Sequence, residues 1–160
     1  MLQIAPGPII TPQLTQAALQ EIAESIWSSF LELELQQATD DAGLAAGADL
    51  LTGQVALQGD WQGFLTLVCA KPIARKAAAA MFNIAPARLD DTELRDTVGE
   101  LTHILAGNLK SLLPAPCRLS LPVVTEGYNV PINEKTIVKI LLHCEDHLLQ
   151  ITVFEKENPV

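Results

Sequence analysis

The chain has 160 residues, enough for one domain with a proper core, and it is read as a single unit over 1–160 with an extended lead at 1–12. A hydrophobic fraction of 49% and a charged fraction of 18% are those of an ordinary globular protein, and 4% aromatic residues leave the core to Leu, Ile, Val and Ala. A net charge of −9 without any Lys/Arg cluster argues against a nucleic-acid partner, and the absence of a run of about 18 apolar residues argues against membrane insertion. The first twelve residues have neither a positive start nor a long apolar stretch, so they do not read as a signal peptide. Three widely spaced cysteines, Cys69, Cys117 and Cys144, lie in apolar strand-like runs, which fits a reduced, cytoplasmic location.

In chain order, Gln13 to about Leu35 predicts a long amphipathic helix whose buried stripe is Leu19, Ile22, Ile26, Phe30 and Leu33. Thr39 to Asp49, rich in Ala, Gly and Asp, predicts a loop. Gln54–Gln58 and Phe64–Ala70 predict a hairpin turning through Gly59-Asp60-Trp61-Gln62-Gly63. Pro72 suits an early helical position, and Ile73–Phe82 predicts an alanine-rich helix. Asp90 with Glu93, or Asp91 close behind it, gives a capping signal for a second long helix, about Glu93 to Leu113, which ends before Pro114 and Pro116. Cys117–Thr125 predicts a strand, and Thr136–Cys144 with His147–Phe154 a second hairpin turning at Glu145-Asp146. Long helix and hairpin thus occur twice, and the two helices share their apolar phase, Ile22 matching Leu101 and Ile26 matching Leu105. The expectation is an α+β fold: an antiparallel sheet with two long helices on one side, built from internally duplicated helix-hairpin units.

The second long helix carries two contrasting faces. At about 100° per residue, Leu94, Val98, Leu101, Leu105, Leu109 and Leu112 form one stripe, and Asp96, Glu100, His103, Gly107 and Lys110 fall opposite. Glycine inside a helix costs roughly 1 kcal/mol against alanine. Gly107, with Gly99 close by, therefore suggests close approach by another molecule to a face presenting an acid and an imidazole one turn apart. Asn108 sits nearer the apolar stripe, and a structural hydrogen bond from a buried position is expected of it. Asp96 suits either binding or the negative charge favoured near a helix N-terminus. His143-Cys144-Glu145-Asp146-His147 contains metal-ligand residue types, but neighbours on a strand point to opposite faces, so no metal site is expected there.

The run Asp96-Thr-Val-Gly-Glu100-Leu-Thr-His103-Ile-Leu-Ala-Gly107-Asn108 resembles the signature helix of the CheC/CheX chemotaxis phosphatases. Asp96 and Glu100 match the pattern, Gly107-Asn108 is similar to the pair that commonly follows, and Leu119-Ser-Leu-Pro122 resembles the strand with the later, structural proline. The hairpin at Gly59–Gly63 and the helix Ala74–Phe82 also resemble CheX-type members. The resemblance implies an enzyme acting on a phosphorylated CheY-like response regulator. The signature helix would lie across the regulator's active site, with its Glu on the regulator's lysine and its Asn orienting the attacking water. It further implies a homodimer joined through the sheets and no cofactor of its own, the Mg belonging to the regulator.

One position departs from the family pattern: His103 stands where the family has Asn. Neutral imidazole also offers one acceptor and one donor, so His103 retains the groups needed to orient a water, at longer reach. Glu100 and His103 are thus the expected catalytic pair, with Asp96, Gly107 and Lys110 as binding residues. The alternative is a catalytically silent module that senses or sequesters the phosphorylated regulator. Glu21 and Glu24, on the corresponding face of the first helix, have no Asn, Gln or His beside them and read as a solvated remnant of the duplication.

Overall fold

A computed structural model describes residues 14–41, 44 and 49–157. The expected lead at 1–12, the start of the first helix at Gln13 and most of the expected loop at 39–49 lie outside the described residues. Helix α1 (Gln16–Ile26) is capped by Thr15, whose hydroxyl accepts from the Ala18 amide, and continues as a π-helical turn over Trp27–Leu31. Strand β1 (Leu35–Gln37) precedes the hairpin β2 (Leu50–Gly59) and β3 (Gly63–Ala70). Helix α2 (Lys71–Phe82) follows β3 directly, with Pro72 in its first turn. Helix α3 (Asp91–Leu109) leads into a 3-10 turn at Lys110–Leu112, then β4 (Cys117–Leu119), β5 (Val123–Glu126) and the hairpin β6 (Lys135–Cys144) and β7 (His147–Glu155).

All pairings are antiparallel, and the order across the sheet is β1-β6-β7-β3-β2-β4, with β5 also on β2. Exchanging β1 with β4, β2 with β6 and β3 with β7 reverses this order onto itself. Each hairpin meets the other through its second strand, and each outer strand pairs with the hairpin of the other half. That two-fold relation is what an internal duplication of helix-strand-hairpin units produces. The helices pack against one another and against one side of the sheet, where Leu51, Val55, Leu65, Leu67, Ile140, Leu142, Ile151 and Val153 are buried.

The opposite side of the central strands is buried as well, through Thr52, Thr66, Gln150 and Thr152. The segment after β5 folds over it. Thr52 Oγ1 donates to the Gly127 carbonyl at 2.6 Å and accepts from the Asn129 amide at 3.1 Å, while Gln150 Nε2 donates to the Tyr128 hydroxyl at 2.8 Å. The three cysteines are free and buried in the sheet. Burial, reinforced by Cys144, pushes the Cys69 thiol up to about 12, and burial also raises Cys117 and Cys144.

Three sequence expectations need correction. The first long helix stops being α-helical at Ile26, and the wider π turn shifts the phase. Trp27 and Leu31 then take the core, and Phe30 is 55% exposed. Residues 32–34 leave the helix, and Leu35 opens β1, a three-residue strand whose formation rests on pairing with β6, which no local pattern encodes. The expected strand Cys117–Thr125 is two strands, interrupted at Ser120-Leu121-Pro122. Proline has no N–H to give the ladder, and the pairing restarts one residue out of step.

Candidate functional site on helix α3

Helix α3 begins with a complete capping box. Asp90 Oδ1 accepts from the Glu93 amide and Glu93 Oε1 accepts from the Asp90 amide, each at 2.9 Å. Asp91 and Glu93 add negative charge to the first turn. The apolar stripe behaves as its spacing predicts: Leu94, Val98, Leu101, Leu105 and Leu109 are fully buried, and Leu112 packs partly buried at the end. Gly53 lets the helix approach β2 at Thr102, because a methyl there would overlap Thr102 Oγ1. That hydroxyl is satisfied within the helix, donating to the Val98 carbonyl at 2.6 Å.

One flank of α3 is clamped by β5. Arg95 donates to the Val124 carbonyl at 3.2 Å and to Glu126 at 2.8 Å, and Lys71 at the start of α2 reaches the other Glu126 oxygen at 3.0 Å. The Lys71 hydrogen bond, with the charges of Lys71 and Arg95, holds the Glu126 carboxyl below its ordinary range. The same hydrogen bond raises Lys71. Gly99 is buried beneath this segment, and a methyl on it would stand 3.4 Å from Pro122 Cγ and from Val124 Cγ2. Pro122 therefore packs on the helix at Gly99. The close approach that Gly99 allows is by the chain's own β4–β5 connection, not by a second molecule.

The face opposite the stripe is open. Asp96, Glu100, Gly107 and Lys110 are exposed and His103 is half-buried. The side chains of Asp96, Glu100 and His103 make no hydrogen bond or ion pair with any described residue. Beside Gly107 the nearest atom to an added methyl is Leu119 Cδ1, at 4.0 Å, so this glycine leaves open surface. Glu100 and His103 lie three residues apart on a helix rigidly seated by its buried stripe, an arrangement that presents a carboxylate and an imidazole to an incoming partner. Asn108 does not take the buried position expected of it. Its phase carries it to the exposed side, where Nδ2 donates to the Ile104 carbonyl of its own helix at 2.8 Å.

On α1, Glu21 is exposed, and Glu24 is half-buried and accepts from Gln20 at 3.1 Å. Among the described residues no group of three or more His, Cys, Asp or Glu is placed to hold a metal, and no helix is long and apolar enough to cross a membrane. Sequence reasoning missed Gly53, Thr102, the Lys71–Glu126–Arg95 cluster and the bulge before Pro122. The one legible signal among these was a proline inside a strand-like run.

The solved structures similar to this chain share its fold. CheX from Vibrio vulnificus is 18% identical with a TM-score of 0.72, covering 92% of this chain and 100% of that one. CheX from Desulfovibrio desulfuricans is 14% identical with a TM-score of 0.68, covering 88% and 97%. The CheX–CheY–BeF3–Mg complex from Borrelia burgdorferi matches with 18% identity and a TM-score of 0.61, again over 88% and 97%. No curated protein is significantly similar in sequence. The sequence model of the family Chemotaxis phosphatase CheX matches residues 51–150, which takes in α3 whole and ends within β7, and the chain belongs to that family.

Proposed function

We propose that this chain hydrolyses the aspartyl phosphate of a CheY-like response regulator, laying the open face of α3 across the regulator's phosphorylation site. The observation that carries the reading is the pair Glu100 and His103, without a partner among the described residues and presented together on the helix that resembles the family's signature. The solved CheX–CheY complex supports a CheY-like partner.

In this mechanism Glu100 pairs with the regulator's lysine and fixes the register of docking. His103 accepts a hydrogen bond from a water and holds it in line with the phosphorus–carboxylate bond. The water oxygen bonds to phosphorus as the bond to the aspartate oxygen breaks, giving free aspartate and inorganic phosphate. The acyl phosphate is already activated, so orientation carries the acceleration. Mg in the regulator's pocket supplies charge neutralisation at the phosphoryl oxygens. Asp96 and Lys110 border the contact as charged rim residues, and Gly107 admits the partner's backbone closely. A homodimer joined through the sheet belongs to the same reading, with exposed Val123, Tyr128 and Ile132 as its apolar surface. Sedimentation at twice the chain mass is the expected result.

The second reading rests on His103 itself. An imidazole reaches farther from the helix than an amide, and a water misplaced by about an ångström costs on the order of 100-fold. On that reading the chain binds the phosphorylated regulator without consuming it. Phosphate loss from each CheY-like regulator of the source organism, with and without this protein, separates the two. Faster decay establishes the phosphatase, and saturable binding with unchanged decay establishes the silent module.

A further inference from the structure

Leu121 is 84% exposed, and a single exposed leucine is ordinary on a protein surface. Its backbone is not ordinary. Strand β2 pairs Leu57 with Leu119 and Gln54 with Val123, so four steps on one side face three on the other, and the extra residue makes a bulge at Ser120-Leu121-Pro122. Ser120 fixes that bulge three times. Its amide donates to the Ala56 carbonyl at 2.9 Å, its hydroxyl accepts from the Ala56 amide at 2.8 Å and donates to the Leu121 carbonyl at 2.9 Å. Pro122 then seats against Gly99 of α3.

The bulge also has a definite position relative to the open face. Gly99, His103 and Gly107 form one row, four residues apart, along α3. Pro122 and Val124 lie over the first of these, and Leu119 lies near the last. The connection therefore runs along this flank of α3, and Leu121 lies between the residue near Gly107 and the one seated on Gly99. A large apolar side chain is held outward on a backbone that has already lost its freedom, so little ordering remains to oppose its burial by a partner.

We infer that Leu121 is the apolar anchor of the regulator-docking surface, seating in an apolar depression of the receiver beside its phosphorylated aspartate while Glu100 and His103 reach the phosphoryl group. The inference rests on the proposed role of α3 and commits to the receiver as occupant, because the bulge is seated on α3 at Gly99, directly beside Glu100 of the open face. The test uses the full chain and its Leu121→Asp, Ser120→Ala and Glu100→Ala variants. The probes are a CheY-like receiver loaded with BeF3 and Mg for binding, and the same receiver charged by acetyl phosphate for turnover. Leu121→Asp is expected to weaken binding, and to raise KM, about tenfold with kcat unchanged. Ser120→Ala, which keeps Leu121 but frees its backbone, is expected to weaken binding by a smaller factor. Wild-type binding by Leu121→Asp alongside loss in Glu100→Ala overturns the inference and leaves the α3 reading intact. A fall in kcat alone, or a change in sedimentation of Leu121→Asp in the absence of receiver, also overturns it. No binding and no accelerated decay with any receiver of the organism overturns the α3 reading and this inference together.

Discussion

Glu100 and His103 share one helix face yet carry different tasks, so their variants are expected to fail differently. Glu100→Ala removes a charge from the docking contact and is expected to weaken regulator binding by about 2 kcal/mol, read as a rise in KM or Kd. His103→Ala removes the water's partner and is expected to lower kcat about 100-fold with KM little changed. His103→Asn, which restores the shorter amide, is expected to preserve or raise kcat. Steady-state decay of the phosphorylated receiver measures all three, and wild-type rates in all of them would place the site elsewhere. That these two residues share one uncovered helix face was legible from spacing, because a helix converts three residues of separation into adjacency whatever surrounds it. Asn108 was not placed correctly, because its angle on the helical wheel falls between stripe and face, and only the packing of α3 decides which side of such a boundary is covered.

Among the elements, the surroundings of α3 set three glycines in different situations. Gly53 on β2 admits Thr102, so Gly53→Ala forces the helix away from the sheet and is expected to destabilise by about 1–3 kcal/mol in chemical denaturation. Gly107 has open space about its missing methyl, so Gly107→Ala is expected to stabilise the isolated protein by up to about 1 kcal/mol. The same methyl stands on the docking face and is expected to weaken receiver binding. Stabilisation with full affinity would mean that no partner approaches Gly107. Gly99 looked equivalent to Gly107 in sequence, yet it serves the β4–β5 connection. The capped start of α3, the early proline of α2 and both hairpins were legible from caps, alternation and turn residues. The π turn after α1 and the bulge before Pro122 were not, since each is set by what the segment packs on.

At the scale of the whole molecule, Glu126 joins α2, α3 and the sheet edge through Lys71 and Arg95. Its folded pKa is depressed, so its contribution to stability is fully present above the unfolded value of about 4.3 and is lost as pH falls through the lower folded value. Lys71 is raised, so its contribution holds below about 10.4 and is lost as pH rises through the higher folded value. Wild type is therefore expected to exceed Glu126→Gln in Tm by a constant margin near neutrality, and the margin is expected to close below about pH 4. The margin is small because the carboxylate is exposed and screened. Thermal unfolding across that range checks it, and a margin independent of pH would remove the clamp from the account. The sequence by itself determined the class of fold, the repeated helix-hairpin units and the two faces of α3, because periodicity, capping and turn chemistry act within a few residues. Tertiary structure alone decided the pairing of β1 with β6, the seating of Gly53 against Thr102 and the bulge that presents Leu121. Each of those depends on segments distant in the chain, whose contact energy exists only once they meet.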